Sequence, residues 1–431
     1  VAYGGWSIDL HPADGVYSDK SGCNQWHSKG IYPIPYRCFV SYDIENLFIG
    51  GRLISASHVA FGSSRVMGTS AHGGQAIGVA AALCKKAKKR PAEFIDLEEI
   101  KRIQRTLVTT GQYIPQLKLN DFGGKVSTAK IQVSSELSVS EFKENGDYFR
   151  LDHSAAMLLP IKGNIPKMRL KVKSSEVTNL TIQIRASYKP FNFTPDAILF
   201  VKSYSLVEGE QDLKIEFDEI NVEKGYYFIC FLKNNVVKLA ESDQLVTGIK
   251  SVFNYQNPAV SNYGTQRPPK NIGVETFELW CPMRRPKGKN FALKFSPALK
   301  GFESSNLRNE FFRPIIGTNA WVASLDDESP TLTLMWNEIQ KINKIRLFFD
   351  TDADHAMENV QMGHYDSAIP FSIKEYKILD DKDDVVYLKT DNHQTINNIF
   401  FSQSIITKEL KIQLQHPSKL TPAALFGIII E

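Results

Sequence analysis

The sequence predicts an α+β chain of several domains, an α/β segment with two helices followed by two antiparallel β-sandwiches. Three observations predict it. A length of 431 residues exceeds what one hydrophobic core usually supports. Helical periodicity is confined to the first 120 residues or so. Beyond them apolar and polar residues alternate at period two between turn clusters. The texture sets the expected boundaries: an α/β segment over 1–120, a β-sandwich over 121–250, a Pro/Gly-rich linker over 251–290, and a second β-sandwich over 291–431.

The first helix is expected over 69–88, TSAHGGQAIGVAAALCKKAK, and the second over 96–108. Asp96 is a natural N-cap, Leu97, Ile100, Ile103 and Leu107 form an apolar stripe, and Gly111 is a stop signal. Upstream, Leu47 to Ile49 reads as a short buried strand that breaks at Gly50-Gly51 and feeds a loop. In the middle region KMRLKVK, LTIQIRA, AILFVKSY, DLKIEF and YYFICFL read as strands, and TLTLMW, KIRLFFD, FSIKEYKIL, LKIQLQ and FGIIIE do so in the last.

Composition excludes several classes. No apolar run is long enough to span a bilayer. A net charge of +4 is small for this length, and no basic stripe interleaved with aromatics points to nucleic acid. The run KKAKKR at 85–90 closes a helix, where cations are favoured by the dipole and by solvation. The five cysteines are scattered without a CxxC pair, so neither a zinc ribbon nor a disulfide scaffold is expected.

Chemistry concentrates in residues 46–82, NLFIGGRLISASHVAFGSSRVMGTSAHGGQAIGVAAA. A helix start dense in small residues offers N–H groups and a positive dipole end to an anionic or electron-rich ligand. This run closely resembles the last flavin-contacting segment of a family of bacterial FAD-dependent oxidoreductases. GGWSIDLHP at 4–12 and IPYRCFV at 34–40 resemble two further motifs of that family, in the same order. The resemblance covers about residues 1–115 and implies FAD as cofactor.

Residue by residue, the resemblance places Gly51 and Arg52 beside the pyrophosphate and ribityl region. It places Gly73, Gly74 and Gln75, at the helix start, on the pyrimidine side of the flavin. His58 and Arg65, in the loop between, are then the expected substrate-facing residues. His58 would be the acid or base for a hydroxyl proton, and Arg65 an anchor for substrate or flavin; Asp9 and His11 would complete the site. Two departures stand out: Gly68 occupies the family's usual proline position, and His72-Gly73-Gly74 is unusual at the helix start. No GxGxxG follows a strand, so the half that fixes the adenosine end is expected to lie outside this sequence.

The last 130 residues resemble galactose-binding-like, discoidin-type sandwiches, through NEFFRP at 309–314, Trp321, PTLTLMW and KIRLFFDTD. Trp321 and Trp336 read as core residues rather than a sugar platform. Asp350, Asp352 and Asp354 are spaced like the opening of a calcium loop. His355 and Gln361, where an EF-hand needs glycine and glutamate, rule out that form and leave a looser calcium site as a weak expectation.

The expected function is therefore the carboxyl-terminal portion of an FAD-dependent oxidoreductase acting on a carbohydrate-related hydroxyl by hydride transfer. The β modules would bind substrate or pack against the enzyme. The family it resembles includes carbohydrate-processing bacterial proteins, some labelled xanthan lyase, and an exported, periplasmic or extracellular protein is expected. Expected partners are the amino-terminal dinucleotide-binding half and a carbohydrate. The alternative is a non-catalytic carbohydrate-binding or scaffolding protein carrying a decayed flavin-domain remnant.

Overall fold

A computed structural model of the chain describes all residues except 20–21, 23, 27–29, 116, 118–123, 188–191, 193, 218–219, 255–264, 267–276, 279, 283–288, 310 and 352–370. The architecture is α+β, with few helices and several antiparallel sheets.

In the amino-terminal segment β1 (Ala2–Gly4) pairs with β4 (Tyr32–Ile34), and β2 (Ile8–Leu10) pairs with β3 (Asn24–Trp26). Four α-helices are described: α1 (His58–Ser64), α2 (Met67–Ala87), α3 (Leu97–Thr109) and α4 (Gly124–Thr128). On α2 the small residues Ala76, Ala80 and Cys84 face inward at a spacing of four, against Phe39, Tyr36 and the α3 residues Ile103 and Leu107. Burying each large side chain there contributes roughly 1.5–3 kcal/mol. Asp96 precedes α3 as expected, and its N–H donates to Glu99 Oε2 at 3.4 Å, one arm of a capping box. The basic run ends in ion pairs: Lys89 with Glu99 and Asp96, Arg90 with Glu45 and Glu93.

Leu47–Ile49 does not form the expected strand. Phe48 makes one isolated bridge to Val40, flanked by Ser41 N–H to the Leu47 carbonyl at 3.0 Å and Ile49 N–H to the Phe39 carbonyl at 2.9 Å, and Leu47 is exposed.

The expected strands of the middle region form two facing sheets. One runs in the order Ala197–Leu206, Thr178–Ala186, Asn221–Phe231, Ala155–Asn164, Lys250–Phe253, Cys281–Pro282. The other centres on Lys167–Ser174, flanked by Val237–Ser242 and Lys294–Leu299. Strand Lys167–Ser174 buries Met168, Leu170 and Val172 and exposes alternate lysines, as period two requires. Sheet membership crosses the boundaries expected from texture. Lys130–Val133 joins the last sheet through Thr331–Phe349, whereas Asn290–Phe291 and Lys294–Leu299 join the middle sandwich. Most of the expected linker lies outside the described residues, but Trp280 within it is buried against Leu158, Phe228 and Val252.

The last sheet is built on two 19-residue strands, Thr331–Phe349 and Ile396–Leu414. Their pairing shifts between Met335 and Gln340 and between Ile342 and Lys344. Across those bulges the inward residues change parity, from Leu332, Leu334 and Trp336 to Ile345, Leu347 and Phe349, so one core is kept on one side. The end of this strand is buried on both faces: Leu347 and Phe349 face that core, and Phe348 faces the core of the middle sandwich. Phe348 stacks on Phe312 with centroids 3.8 Å apart, and Phe312 fits over Gly427, where a Cβ would come within 2.4 Å of the ring.

Glu241, on Val237–Ser242, has a carboxyl pushed up to about 7; burial is the main cause, Lys289 opposes it, and Asp147 and Asp243 add to it. Unfolded, the group titrates near its ordinary 4.5, so between pH 4.5 and 7 the folded chain binds more protons. Its contribution to stability is complete below pH 4.5 and is lost as pH rises through 7. Glu241→Gln is expected to stabilise the protein at pH 8 by about 1 kcal/mol, after allowance for solvent screening. Thermal melts at pH 5 and pH 8 check this, and an unchanged pH slope in the variant would show that the carboxyl is solvated.

Candidate functional site

The site begins at Gly62. A Cβ there would lie 2.9 Å from the Asp9 carbonyl oxygen and 3.1 Å from Leu10 Cδ2, so only glycine lets α1 rest directly on β2. Ser57 starts α1, its Oγ accepting from the Ala60 N–H at 3.3 Å. Ser63 Oγ donates to the Trp6 carbonyl at 2.6 Å and accepts from Tyr32 OH at 2.5 Å, tying α1 to the tryptophan motif and to β4. Burial pushes the Tyr32 hydroxyl up, which keeps it a donor.

This docking brings Arg65, at the carboxyl cap of α1, onto β2. Arg65 Nη2 donates to the Asp9 carbonyl oxygen at 3.1 Å and to Asp9 Oδ2 at 3.2 Å. His11 Nε2 lies 3.3 Å from the same Oδ2, and His11 Nδ1 is 2.9 Å from the Gly22 carbonyl oxygen. Both His11 nitrogens thus face acceptors, and the ring can donate to both only as the imidazolium. Asp9 Oδ1 is buried with no hydrogen-bond partner among the described residues. Asp9, His11 and Arg65 form one cluster around a carboxylate with a spare, desolvated oxygen.

His58 lies on the first turn of α1, exposed, and makes no hydrogen bond or ion pair among the described residues. The expected loop holding His58 and Arg65 is a capped helix instead. Arg52, expected at the cofactor, is exposed and lies 5.8 Å from the Phe61 ring centroid; Arg65 lies 5.9 Å from the same centroid. Phe61 therefore links the expected cofactor and substrate sides. Its position in the segment that reads as a loop hid this role, as it hid that of Ser63.

Gly51 has φ +59°, opens a 3-10 turn, and has no atom within 4 Å of a Cβ position. Gly73, Gly74 and Gln75 do not start a helix. α2 begins at Met67, so their N–H groups lie inside the helix, and the uncapped first turn is Met67, Gly68 and Thr69. Gly73 is buried where a Cβ would meet Phe39 Cε1 at 2.6 Å; Gly74 and Gln75 are exposed. Gly73 is thus a packing residue.

Asp350 is 4% exposed and accepts from Thr247 Oγ1 at 2.7 Å, so it is engaged with the middle sandwich. Asp352 and Asp354, the other two residues of the weak calcium expectation, lie outside the described residues. Trp321 and Trp336 are core residues, as expected. No helix among the described residues is long and apolar enough to cross a membrane.

Residues 1–107 match the profile of the family described as FAD dependent oxidoreductase. No curated protein matches the chain. Among solved structures, the family 32 carbohydrate-binding module of Streptococcus pneumoniae EndoD is similar at 8% identity over 31% of this chain and 86% of its own, with a TM-score of 0.24. The family 32 module of C. perfringens NanJ is similar at 14% identity over 30% of this chain and 86% of its own, with a TM-score of 0.23. A chitosan-binding module from a Paenibacillus chitosanase/glucanase gives 14%, 30%, 86% and 0.22.

Proposed function

We propose that the chain forms the carboxyl-terminal portion of an FAD-dependent oxidoreductase that moves hydride between a carbohydrate-related hydroxyl and flavin. The observation that carries this reading is the Asp9–His11–Arg65 cluster, with its unpartnered buried oxygen, in the segment that matches the FAD family.

The residues present fit the flavin end of FAD. Open space at Gly51, the exposed Arg52 guanidinium and the uncapped first turn of α2 suit a phosphate-linked, electron-rich group. The adenosine end has no GxGxxG here and needs a second half. The surface supports such a partner: Leu53, Val59 and Met67 are 75%, 50% and 89% exposed on this side of the segment. Large apolar groups left open beside a glycine-bearing helix suit a packed neighbour.

When bound, FAD supplies the hydride acceptor. His58, with no hydrogen-bond or ion-pair partner among the described residues, takes the hydroxyl proton. Arg65 orients an anionic or polyhydroxylated substrate, and Asp9 holds Arg65 in place. His11, engaged at both nitrogens, braces Asp9. The β modules hold the carbohydrate or pack against the enzyme, a role that rests on the sequence resemblance of the last 130 residues.

The full-length protein is expected to purify yellow and to bleach anaerobically with a sugar or sugar-alcohol substrate. A colourless full-length protein that retains polysaccharide would replace this reading with that of a binding protein.

A further inference from the structure

A cavity lies away from the Asp9 cluster, between the end of α3 and the last module. Its volume is about 480 Å³, within the range of small-molecule pockets. Gln112 and Tyr113 line one side, and Arg313 with His393, Gln394 and Thr395 the other. No Asp or Glu is among the described residues lining it.

One group in this cavity is unfulfilled. The Arg313 guanidinium lies 4.8 Å from the Tyr113 ring centroid and makes no ion pair among the described residues. Gln112 is 3% exposed, and its Nε2 donates to the Val1 carbonyl at 2.7 Å, which fixes that side of the cavity. Around the guanidinium are a half-buried hydroxyl, Thr395, shared with Thr351 at 2.6 Å, and the exposed Gln394 amide and His393 ring. The nearby His72 ring, packed on Tyr3, has its pKa lowered by burial and by the Arg313 charge.

We propose that this cavity binds a sugar acid, a monosaccharide-sized polyol carrying one carboxylate. The planar Arg313 fork takes the carboxylate. The His393–Thr395 edge, with the Gln394 amide, holds the ring hydroxyls. The apolar wall of Phe311 and Ile396 receives the carbon face of the ring. No residue of this site belongs to the proposed flavin site, so either can fail without the other.

The test is calorimetric titration of the full-length protein with D-glucuronate, with glucose and glucose 6-phosphate as comparisons. Glucuronate is expected to bind roughly 10- to 100-fold tighter than glucose, and Arg313→Gln to lose a similar factor. His393→Ala, an exposed change that leaves the packing intact, is expected to weaken glucuronate a few-fold. Glucuronate binding no tighter than glucose overturns the proposal, as does tighter binding of glucose 6-phosphate. Unchanged glucuronate affinity in Arg313→Gln also overturns it. Should Arg313→Gln fail to fold, His393→Ala decides, and an unchanged affinity there is equally fatal.

Discussion

His58→Gln, made in the FAD-loaded full-length protein, slows reduction of the flavin by substrate roughly 10²- to 10⁴-fold, the usual worth of a general acid or base. Bound FAD is expected to be unchanged, because the exposed ring makes no hydrogen bond or ion pair among the described residues. His58 is the candidate because it is free, on a helix fixed by the Ser57 cap and the Gly62 contact. His11 is the poorer candidate, since both its nitrogens are turned to protein acceptors, Asp9 Oδ2 and the Gly22 carbonyl, rather than to a substrate. Arg65→Ala separates the roles differently. It removes both bonds to Asp9 and leaves the half-buried carboxylate with His11 as its remaining described partner, so substrate affinity falls along with the rate. Arg65→Lys rescues it only partly, because one ammonium does not reproduce the guanidinium geometry. Anaerobic stopped-flow absorbance follows both variants, and a wild-type reduction rate in His58→Gln would remove His58 from the mechanism.

Trp321→Ala lowers stability by about 3–5 kcal/mol, the range for losing a large aromatic from a packed core. Trp321 is fully buried beside Leu425 and Ala323, and its Nε1–H donates to the Ser135 carbonyl at 2.9 Å. The substitution removes packing and leaves that carbonyl without its donor. Trp321→Phe isolates the second effect, at about 1 kcal/mol. Denaturant midpoints measure both, and a loss below about 1 kcal/mol for the alanine variant would mean that the void collapses.

The strands were legible because period two is a local property: KMRLKVK announces its buried and exposed sides without reference to anything else. Partner choice is not local. Nothing in KIQV at 130–133 says that it pairs with Leu332 to Met335, nearly two hundred residues away. Helix α3 was legible from its stripe and cap, whereas α1 was not. HVAFGSS carries one glycine and two serines in seven residues, weak helix formers, and the helix is held by the Ser57 cap and by contact with β2. The cluster of Asp9, His11 and Arg65 was legible as a set of residue types in family-like motifs. Its geometry was not, since the Arg65–Asp9 contact spans 56 positions and depends on Gly62 having no side chain. The helix over 69–88 was legible to within two residues of its observed start at Met67, but small residues mark close packing as readily as a terminus, and Gly73 serves the first purpose.

The end of strand Thr331–Phe349, with Leu347 facing one core and Phe348 the other, makes the two β modules thermodynamically inseparable. Neither can melt while the other stays intact, because extracting this strand opens both interiors at once. Scanning calorimetry of the chain is therefore expected to show the two modules absorbing heat in a single cooperative peak, with one ratio of van't Hoff to calorimetric enthalpy near unity for the pair. Two resolved peaks for these modules would contradict it.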